Sequence, residues 1–483
     1  MIMWGFSWLE VAIILPAIGA LWVSRFQNPL RAFRWGLAFT TATLVAALLA
    51  WIGFLVEPSA AGDGLSAQSQ LFGRQLFGLD ELSAPLVALI ALLHFLTAMA
   101  TGRTKMRRFS LAWSLVSESV QLAMLSCTEP WLLIGLLVAC VIPPYAELRN
   151  RGRTARIYAL HMGLYVGLLV LGWACFDLEA GHKSQQVWAA IPLLAAILIR
   201  CGTVPMHCWM TDWLEHASFG NALLFVTPLS GVYAAVRLVL PIAPDWVLQS
   251  IGLFSLVTAA YAAGMAVVQQ DTRRFFAYLF LSHASLILVG LELHTSISLT
   301  GALSLWIAVS LSLAGFGLTL RALEARFGRL SLAKYHGLYD HSPALAVCFL
   351  LTGLASAGFP GTLGFVATEL LVEGAIEASP VIGIGVILTA SINGIAVVRA
   401  YFALFTGARH ASTVSLAMGA RERFAVLTLA ALIVGGGLVP QPWVASRYRA
   451  ATTLLQERAR RIAPPSMTTR QPSFPHEPLT PGR

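Results

Sequence analysis

The chain has 483 residues, of which 57% are hydrophobic and 11% charged. A water-soluble domain carries roughly a quarter charged residues, so most of this chain belongs in lipid. Its net charge of +9 does not point to nucleic acid, because the basic residues sit in short clusters between apolar runs, as membrane flanks do.

A bilayer crossing needs roughly 20 apolar residues, and on that criterion the chain holds about 14 candidate crossings. They lie near 4–23, 34–56, 83–101, 109–127, 130–147, 157–175, 187–205, 219–240, 247–268, 275–293, 297–320, 343–373, 380–406 and 423–440. The first, from Trp4 to Val23, has no small-residue cleavage site after it and is expected to be a crossing, not a removable leader. The fourth carries a polar stripe of Ser117, Glu118, Ser119 and Gln121. Glu129 follows it directly.

The seventh crossing runs into "LIRCGTVPMHCWMTDWLEH", from Leu198 to His216. Arg200 stands five residues before Pro205, with His207, Asp212, Glu215 and His216 beyond. His283 lies well inside the tenth crossing. The twelfth is long and is interrupted by "GFPGTLGF", which contains Pro360; Glu369 and Glu373 follow. Those two acids stand four apart and share one helical face. From about Gln456 on, the chain is rich in Arg, Pro, Ser and Thr, and a disordered basic tail is expected over 456–483.

An ionisable side chain at mid-membrane costs at least ~2.5–3.5 kcal/mol, so each of these needs a reason. Buried acids and histidines can titrate near neutrality and pass protons where water links them. Arginine cannot release its proton at neutral pH, but it can set a field or bar cations. Lys105, Lys183 and Lys334 all fall in expected loops, so no lysine relay is expected within the membrane. Two crossings interrupted by Gly or Pro, each with charges nearby, are the sequence pointer to a transporter built from inverted repeats.

The loops divide by charge. One set carries Arg25 and Arg31; Arg103, Lys105, Arg107 and Arg108; Arg149, Arg151, Arg153 and Arg156; Arg273 and Arg274; Arg321, Arg326, Arg329 and Lys334; and Arg409, Arg421 and Arg423. The positive-inside rule puts these loops in the cytoplasm and the N-terminus outside. An even count of crossings then leaves Arg458, Arg460 and Arg461 on the wrong side. The six cysteines, Cys127, Cys140, Cys175, Cys201, Cys208 and Cys348, contain no CxxC pair and read as packing residues. Neither a metal nor a cofactor is expected, and no dinucleotide fingerprint or cluster ligand set is present, so redox chemistry on this chain is not expected.

Several of these stretches carry a family likeness. "RCGTVPMHCW" with "TDWLEH" resembles the broken-helix signature of the antiporter-like membrane subunits of proton-pumping NADH:quinone oxidoreductase (complex I). That family also includes multisubunit cation/proton antiporters and membrane-bound hydrogenases. "QQDTRRFFAYLFLSHASLILVG" resembles the family's Asp-x-Lys-Arg…Ala-Tyr-Ser…Ser-His segment through Asp271, Arg274, Ala277, Tyr278, Ser282 and His283. "LASAGFPGTLGFVATELL" resembles its second broken helix, and "RAYFALFTG" and "FGLDELSAPLVALIALL" match as well. The likeness covers roughly residues 75–410 and is greatest to the M-type (chain 4-like) subunit.

The resemblance implies an all-α polytopic membrane protein with two inverted five-helix repeats, each containing a broken helix. The expected divisions are 1–108 (three N-terminal crossings), 109–240 (first repeat), 247–408 (second repeat), 409–455 (last crossing and flank) and 456–483 (tail). It implies a place in the bacterial cytoplasmic membrane, beside other membrane subunits and a soluble redox or zinc-containing partner. It places proton-pathway roles at Glu118, Glu129, Arg200, His207, Asp212, His283, Glu369 and Glu373. The match departs from the family pattern at several positions. Val138 stands where the family has the glutamate that pairs with its pumping lysine, and Arg200 stands at that lysine. Leu229 and Val309 occupy the next two relay positions, and Thr368, beside Glu369, aligns with the terminal one. Three readings stay open on sequence: a proton- or cation-translocating subunit, a relative repurposed for inorganic-carbon uptake, and a non-conducting scaffold.

Overall fold

The computed structural model describes residues 7–56, 69–71, 74–102, 109–178, 186–227, 229–293, 295–408 and 418–462. Arg103, Lys105, Arg107, Arg108, Lys183 and Arg409 lie outside the described residues, as does the tail beyond 462.

Helices begin where the sequence supplies caps. Ser7 and Glu10 form a reciprocal capping box at α1 (Trp8–Val23), which packs against α2 (Pro29–Val56). A two-stranded antiparallel hairpin, β1 (Ser69–Leu71) and β2 (Arg74–Phe77), precedes α3 (Ser83–Met99) and α4 (Leu111–Ser126). This corrects the all-α expectation in one small region. The hairpin forms where extended Cys127 ends α4 and offers main-chain partners. Gly78 N donates to Ser126 O at 2.8 Å, and Thr128 N donates to Leu76 O at 3.1 Å.

The fifth expected crossing is in two pieces, α5 (Pro130–Ala139) and α6 (Ile142–Asn150). Pro143 and Pro144 lack amide hydrogens, so they can stand only in the first turn of a new helix. Next come α7 (Arg156–Leu178), α8 (Gln186–Cys201) and α9 (Cys208–His216). The eighth expected crossing, 219–240, is also divided: α10 (Phe219–Val226), α11 (Ser230–Ala234) and a π-helical turn, Ala235–Val239. Leu229, with φ of 52°, makes the break between the first two.

In the second half, α12 (Asp245–Val268) packs closely on α13 (Thr272–Glu292), whose first amides are capped by the Asp271 carboxylate. α14 (Ser296–Phe327) is the central post, buried at every position from Ser298 to Leu323. α15 (Pro343–Ser356), α16 (Leu363–Ala378), α17 (Pro380–Phe405) and α18 (Ala420–Leu438) complete the bundle. Small residues let these backbones meet. A Cβ on Gly301 would lie 2.5 Å from the Leu371 amide nitrogen, so α14 and α16 touch through main chain there.

Among the described residues, eight helical stretches are long and apolar enough to cross a membrane, nine if α18 and α19 form one bent span. Apolar but shorter helices, α1, α3, α8 and α15, stand at further expected crossings.

The tail boundary at 456 is corrected. α19 (Gln441–Ile462) turns by 80° from α18 and continues through residue 462. Its arginines hold it down. Arg447 donates to the carbonyls of Glu81 and Leu82, and Arg449 pairs with the Glu81 carboxylate at 2.7 Å. Arg458 donates to Leu240 O and Ala243 O at 2.6 and 2.8 Å and pairs with Asp245 at 2.7 Å. Of the arginines that contradict the charge rule, Arg458 is thus held by two carbonyls and an acid, while Arg460 and Arg461 are exposed.

Candidate functional site

The first break sits between α8 and α9. Gly202 (φ 72°) turns the chain, and Pro205 follows through a cis bond from Val204. Two of the carbonyls released by the break, Leu198 O and Ile199 O, are answered. Thr203 returns both its amide (2.9 Å) and its hydroxyl (2.8 Å) to Leu198 O, and Trp209 Nε1 donates to Ile199 O at 2.9 Å. Val204 N donates to Thr258 Oγ1 at 3.0 Å, tying the break to α12. Non-helical backbone at membrane depth is tolerated only with such partners.

Arg200 points inward and does not reach for the interface; it is 5% exposed. Its Nη2 donates to Ser230 Oγ at 2.5 Å. The guanidinium carbon lies 4.5 Å from the Phe225 ring centre and 5.4 Å from that of Trp209. Among the described residues Arg200 makes no ion pair with a carboxylate. The break at Leu229 is what delivers Ser230 to it. Gly231 completes the contact, since a Cβ there would lie 2.6 Å from Cys201 Sγ and 3.1 Å from Arg200 Cγ. A small cavity of about 20 Å³ between Arg200, Leu229, Ser230 and Phe280 has room for about one water.

Glu118 is fully buried on α4, and neither carboxyl oxygen has a hydrogen-bond partner among the described residues. Burying an ionised carboxylate without a partner is costly, so a proton or a water must reach it. Its neighbours on the helix are polar. Gln121 donates to Ser117 Oγ at 3.0 Å and to Leu224 O, on α10, at 3.1 Å. A second cavity of about 20 Å³ is lined by Ser114, Ser117, Glu147, Trp213 and Asn221.

Glu147 was not singled out from sequence, because it sits beside the basic loop and reads as a flank. It anchors α10: its carboxylate accepts from Ser218 N and from Asn221 Nδ2, each at 2.8 Å, with Arg151 3.6 Å away. Ser230 and Asn393 were also missed; neutral residues carry no charge signal. Asn393 donates to Ser282 Oγ at 2.9 Å, and Ser282 donates to Ala259 O, at the level of His283. His283 is 1% exposed; its Nδ1 donates to Leu279 O at 2.8 Å, and its Nε2 is buried with no hydrogen-bond partner among the described residues.

His207 lies at the mouth of the break, part-buried, with its ring centre 5.5 Å from that of Tyr261 and 6.0 Å from that of Tyr278. Asp212 is half-buried and 3.2 Å from His216 Nδ1. Glu129 is exposed at the start of α5, and Glu369 and Glu373 are exposed on α16. The second break, between α15 and α16, turns at Gly358 (φ 85°) and Gly361 (φ 81°). The fold thus brings Glu118, Arg200 and His283 into the interior, sets His207 and Asp212 at its edge, and leaves the other three acids on the outer surface. Leu229 and Val309 are buried apolar side chains, and Val138 is part-buried.

This arrangement, one helix broken beside a buried arginine and a second broken at Gly358 and Gly361, has clear relatives. The family described as "NADH:quinone oxidoreductase/Mrp antiporter, TM" matches residues 157–393. NADH-quinone oxidoreductase subunit 13 of Thermus thermophilus is 28% identical over 454 residues, covering 88% of this chain and 94% of that protein. The chain is similar to the antiporter-like membrane subunits. NADH-quinone oxidoreductase subunit M of Pseudomonas aeruginosa is a further relative, 26% identical over 492 residues, with 89% of this chain and 94% of that protein covered. The fold matches a chain in the structure of the Mrp complex from Dietzia sp. DQ12-45-1b with a TM-score of 0.83, at 18% identity, over 94% of this chain and 100% of that one. The antiporter-like likeness therefore extends well beyond the matched family region, across most of the chain. It is an integral membrane protein.

Proposed function

We propose that this chain is a proton-translocating membrane subunit of a multisubunit complex of the NADH:quinone oxidoreductase or Mrp kind, with the redox chemistry of any such complex carried by other subunits. The observation that carries the mechanism is Glu118, buried, with neither carboxyl oxygen hydrogen-bonded among the described residues, on the helix whose Ser114 and Ser117 line a small cavity. Among the described residues, buried polar atoms without hydrogen-bond partners occur in both halves, at Ser114, Glu118, Gln121 and Asn221 in the first and at Ser255, His283, Ser285, Ser304, Ser312 and Asn393 in the second. Such atoms call for water, and water between them is what a proton path needs. A direct hydrogen bond already joins the halves: Ser310 on α14 donates to Thr227 O at 3.0 Å.

In this account Glu118 and His283 hold and release protons. Arg200 keeps its charge and sets the local field, and Ser230, Phe225 and Trp209 fix its position. Fourteen crossings, arranged as inverted repeats over 109–240 and 247–408 with the basic loops in the cytoplasm, belong to the same proposal. The α8–α9 break in the first half and the α15–α16 break in the second support it.

A second reading, a scaffold that does not conduct, is favoured by Val138, Leu229 and Val309, apolar at positions where the family resemblance implies relay groups. The complex purified with and without this chain, reconstituted into vesicles, separates the two. Loss of proton uptake without loss of the remaining subunits supports translocation. Undiminished uptake per complex supports the scaffold.

A further inference from the structure

A cavity of about 330 Å³ opens among the ends of several helices on the side of the basic loops, separate from the buried polar groups above. Its size falls at the lower end of the roughly 300–1,000 Å³ typical of small-ligand sites. Five arginines line it, Arg151, Arg153, Arg273, Arg321 and Arg329, against a single carboxylate, Glu324.

The arginines differ in how far the protein itself satisfies them. Arg273 is committed: it makes a two-pronged pair with Glu324 at 2.7 and 2.8 Å and donates to Glu215 O and Ala217 O. Glu324 is thereby used up. Arg329 donates from Nη2 to Glu215 O at 2.6 Å, while its Nη1 stands 3.9 Å from the Glu215 carboxylate and the side chain stays half-exposed. Arg153 is exposed on the α6–α7 turn. Arg321 is the telling one. It is 8% exposed, and among the described residues its hydrogen bonds go to neutral oxygens, Thr97 O at 3.0 Å and Thr101 Oγ1 at 2.8 Å, with the Phe109 ring beneath it at 5.1 Å; Glu324 and Glu422 act on it only through space. Gly220 makes room for it, since a Cβ there would lie 2.9 Å from Arg321 Cζ. A buried guanidinium with no acid in direct contact is costly unless an anion completes it.

We propose that this cavity binds a phosphate-type oxyanion, received by Arg321 with Arg153 and Arg329. Guanidinium groups match phosphate oxygens in a two-pronged geometry, which suits them to such a ligand. Two sources present that chemistry here: the phosphodiester of an anionic phospholipid, and a soluble phosphate. Basic pockets between membrane helices at the cytoplasmic side are a known setting for the first. The proposal stands whether or not the chain conducts protons.

The test uses the full chain in nanodiscs of phosphatidylcholine, with phosphatidylglycerol added in one arm and inorganic phosphate in the other. Binding is read by native mass spectrometry and by thermal protection. Saturable phosphatidylglycerol binding that weakens at least tenfold in Arg153→Gln/Arg329→Gln, and not in the control Arg25→Gln/Arg31→Gln, supports a lipid source. The same pattern with phosphate alone supports a soluble source. Arg321→Gln is expected to abolish binding; should that variant not fold, the double variant decides. Failure of both probes to saturate, or equal binding by the double variant and the control, overturns the proposal.

Discussion

Ser230→Ala tests whether the buried arginine depends on the hydroxyl that meets it. Among the described residues Arg200 has one side-chain acceptor, Ser230 Oγ at 2.5 Å, and two aromatic faces. A hydrogen bond to a charged group contributes about 1.5–3 kcal/mol, so Ser230→Ala should destabilise the chain by that amount. Arg200→Met behaves differently. It forfeits the hydrogen bond and a desolvated cation–π contact of about 2 kcal/mol. It also removes a buried charge that has no acid partner, and relief of that penalty offsets the loss. Arg200→Met should therefore be near neutral or stabilising. In the Arg200→Met background, Ser230→Ala should cost no more than about 0.5 kcal/mol, leaving a coupling of roughly 1–3 kcal/mol across the cycle. Thermal and denaturant unfolding of the four purified variants in one detergent measure it. An equal cost of Ser230→Ala in both backgrounds would refute the assigned role of Ser230.

Two further outcomes follow from charged contacts near the membrane faces. Glu147→Ala removes two 2.8 Å bonds that hold the start of α10, and should destabilise by about 2–5 kcal/mol, with Glu147→Gln intermediate; unchanged unfolding would show that α10 is anchored elsewhere. Burial works to raise the Asp80 carboxyl, but the Arg237 guanidinium at 2.6 Å and the bonds to Ser83 outweigh it and hold Asp80 below its ordinary value of 3.8. A depressed folded-state value means the pair stabilises the chain above about pH 4 and loses that contribution as pH falls further. Asp80→Asn should flatten the acid limb of stability below pH 4, and an unaltered limb would contradict the assignment.

Much of this was legible in the residues because lipid is an unforgiving solvent. Long apolar runs must become helices, and charges within them must have reasons, so the stretches around Arg200 and Pro360 announced broken helices. What stayed hidden was local. The break at Leu229 needs a left-handed leucine, a conformation sequence does not reveal for that residue type. Ser230, Asn393 and Glu147 gain their meaning only from partners 30, 111 and 71 residues away. The exposure of Glu369 and Glu373 depends on which face of α16 meets α14, and spacing alone told only that the two acids share a face. The reach of α19 past 456 stayed hidden because Arg458 reads as part of a solvated tail, whereas the carbonyls of Leu240 and Ala243 take it up.

The account's central claim is that Glu118 carries protons through this chain. Proton uptake by vesicles containing the intact complex, measured with wild-type chain, Glu118→Gln and Glu118→Asp at equal incorporation, tests it most directly. The account predicts a fall of ~10²-fold for Glu118→Gln, the scale of a lost proton-transfer group, and partial retention for Glu118→Asp. Uptake by Glu118→Gln equal to wild type would contradict it.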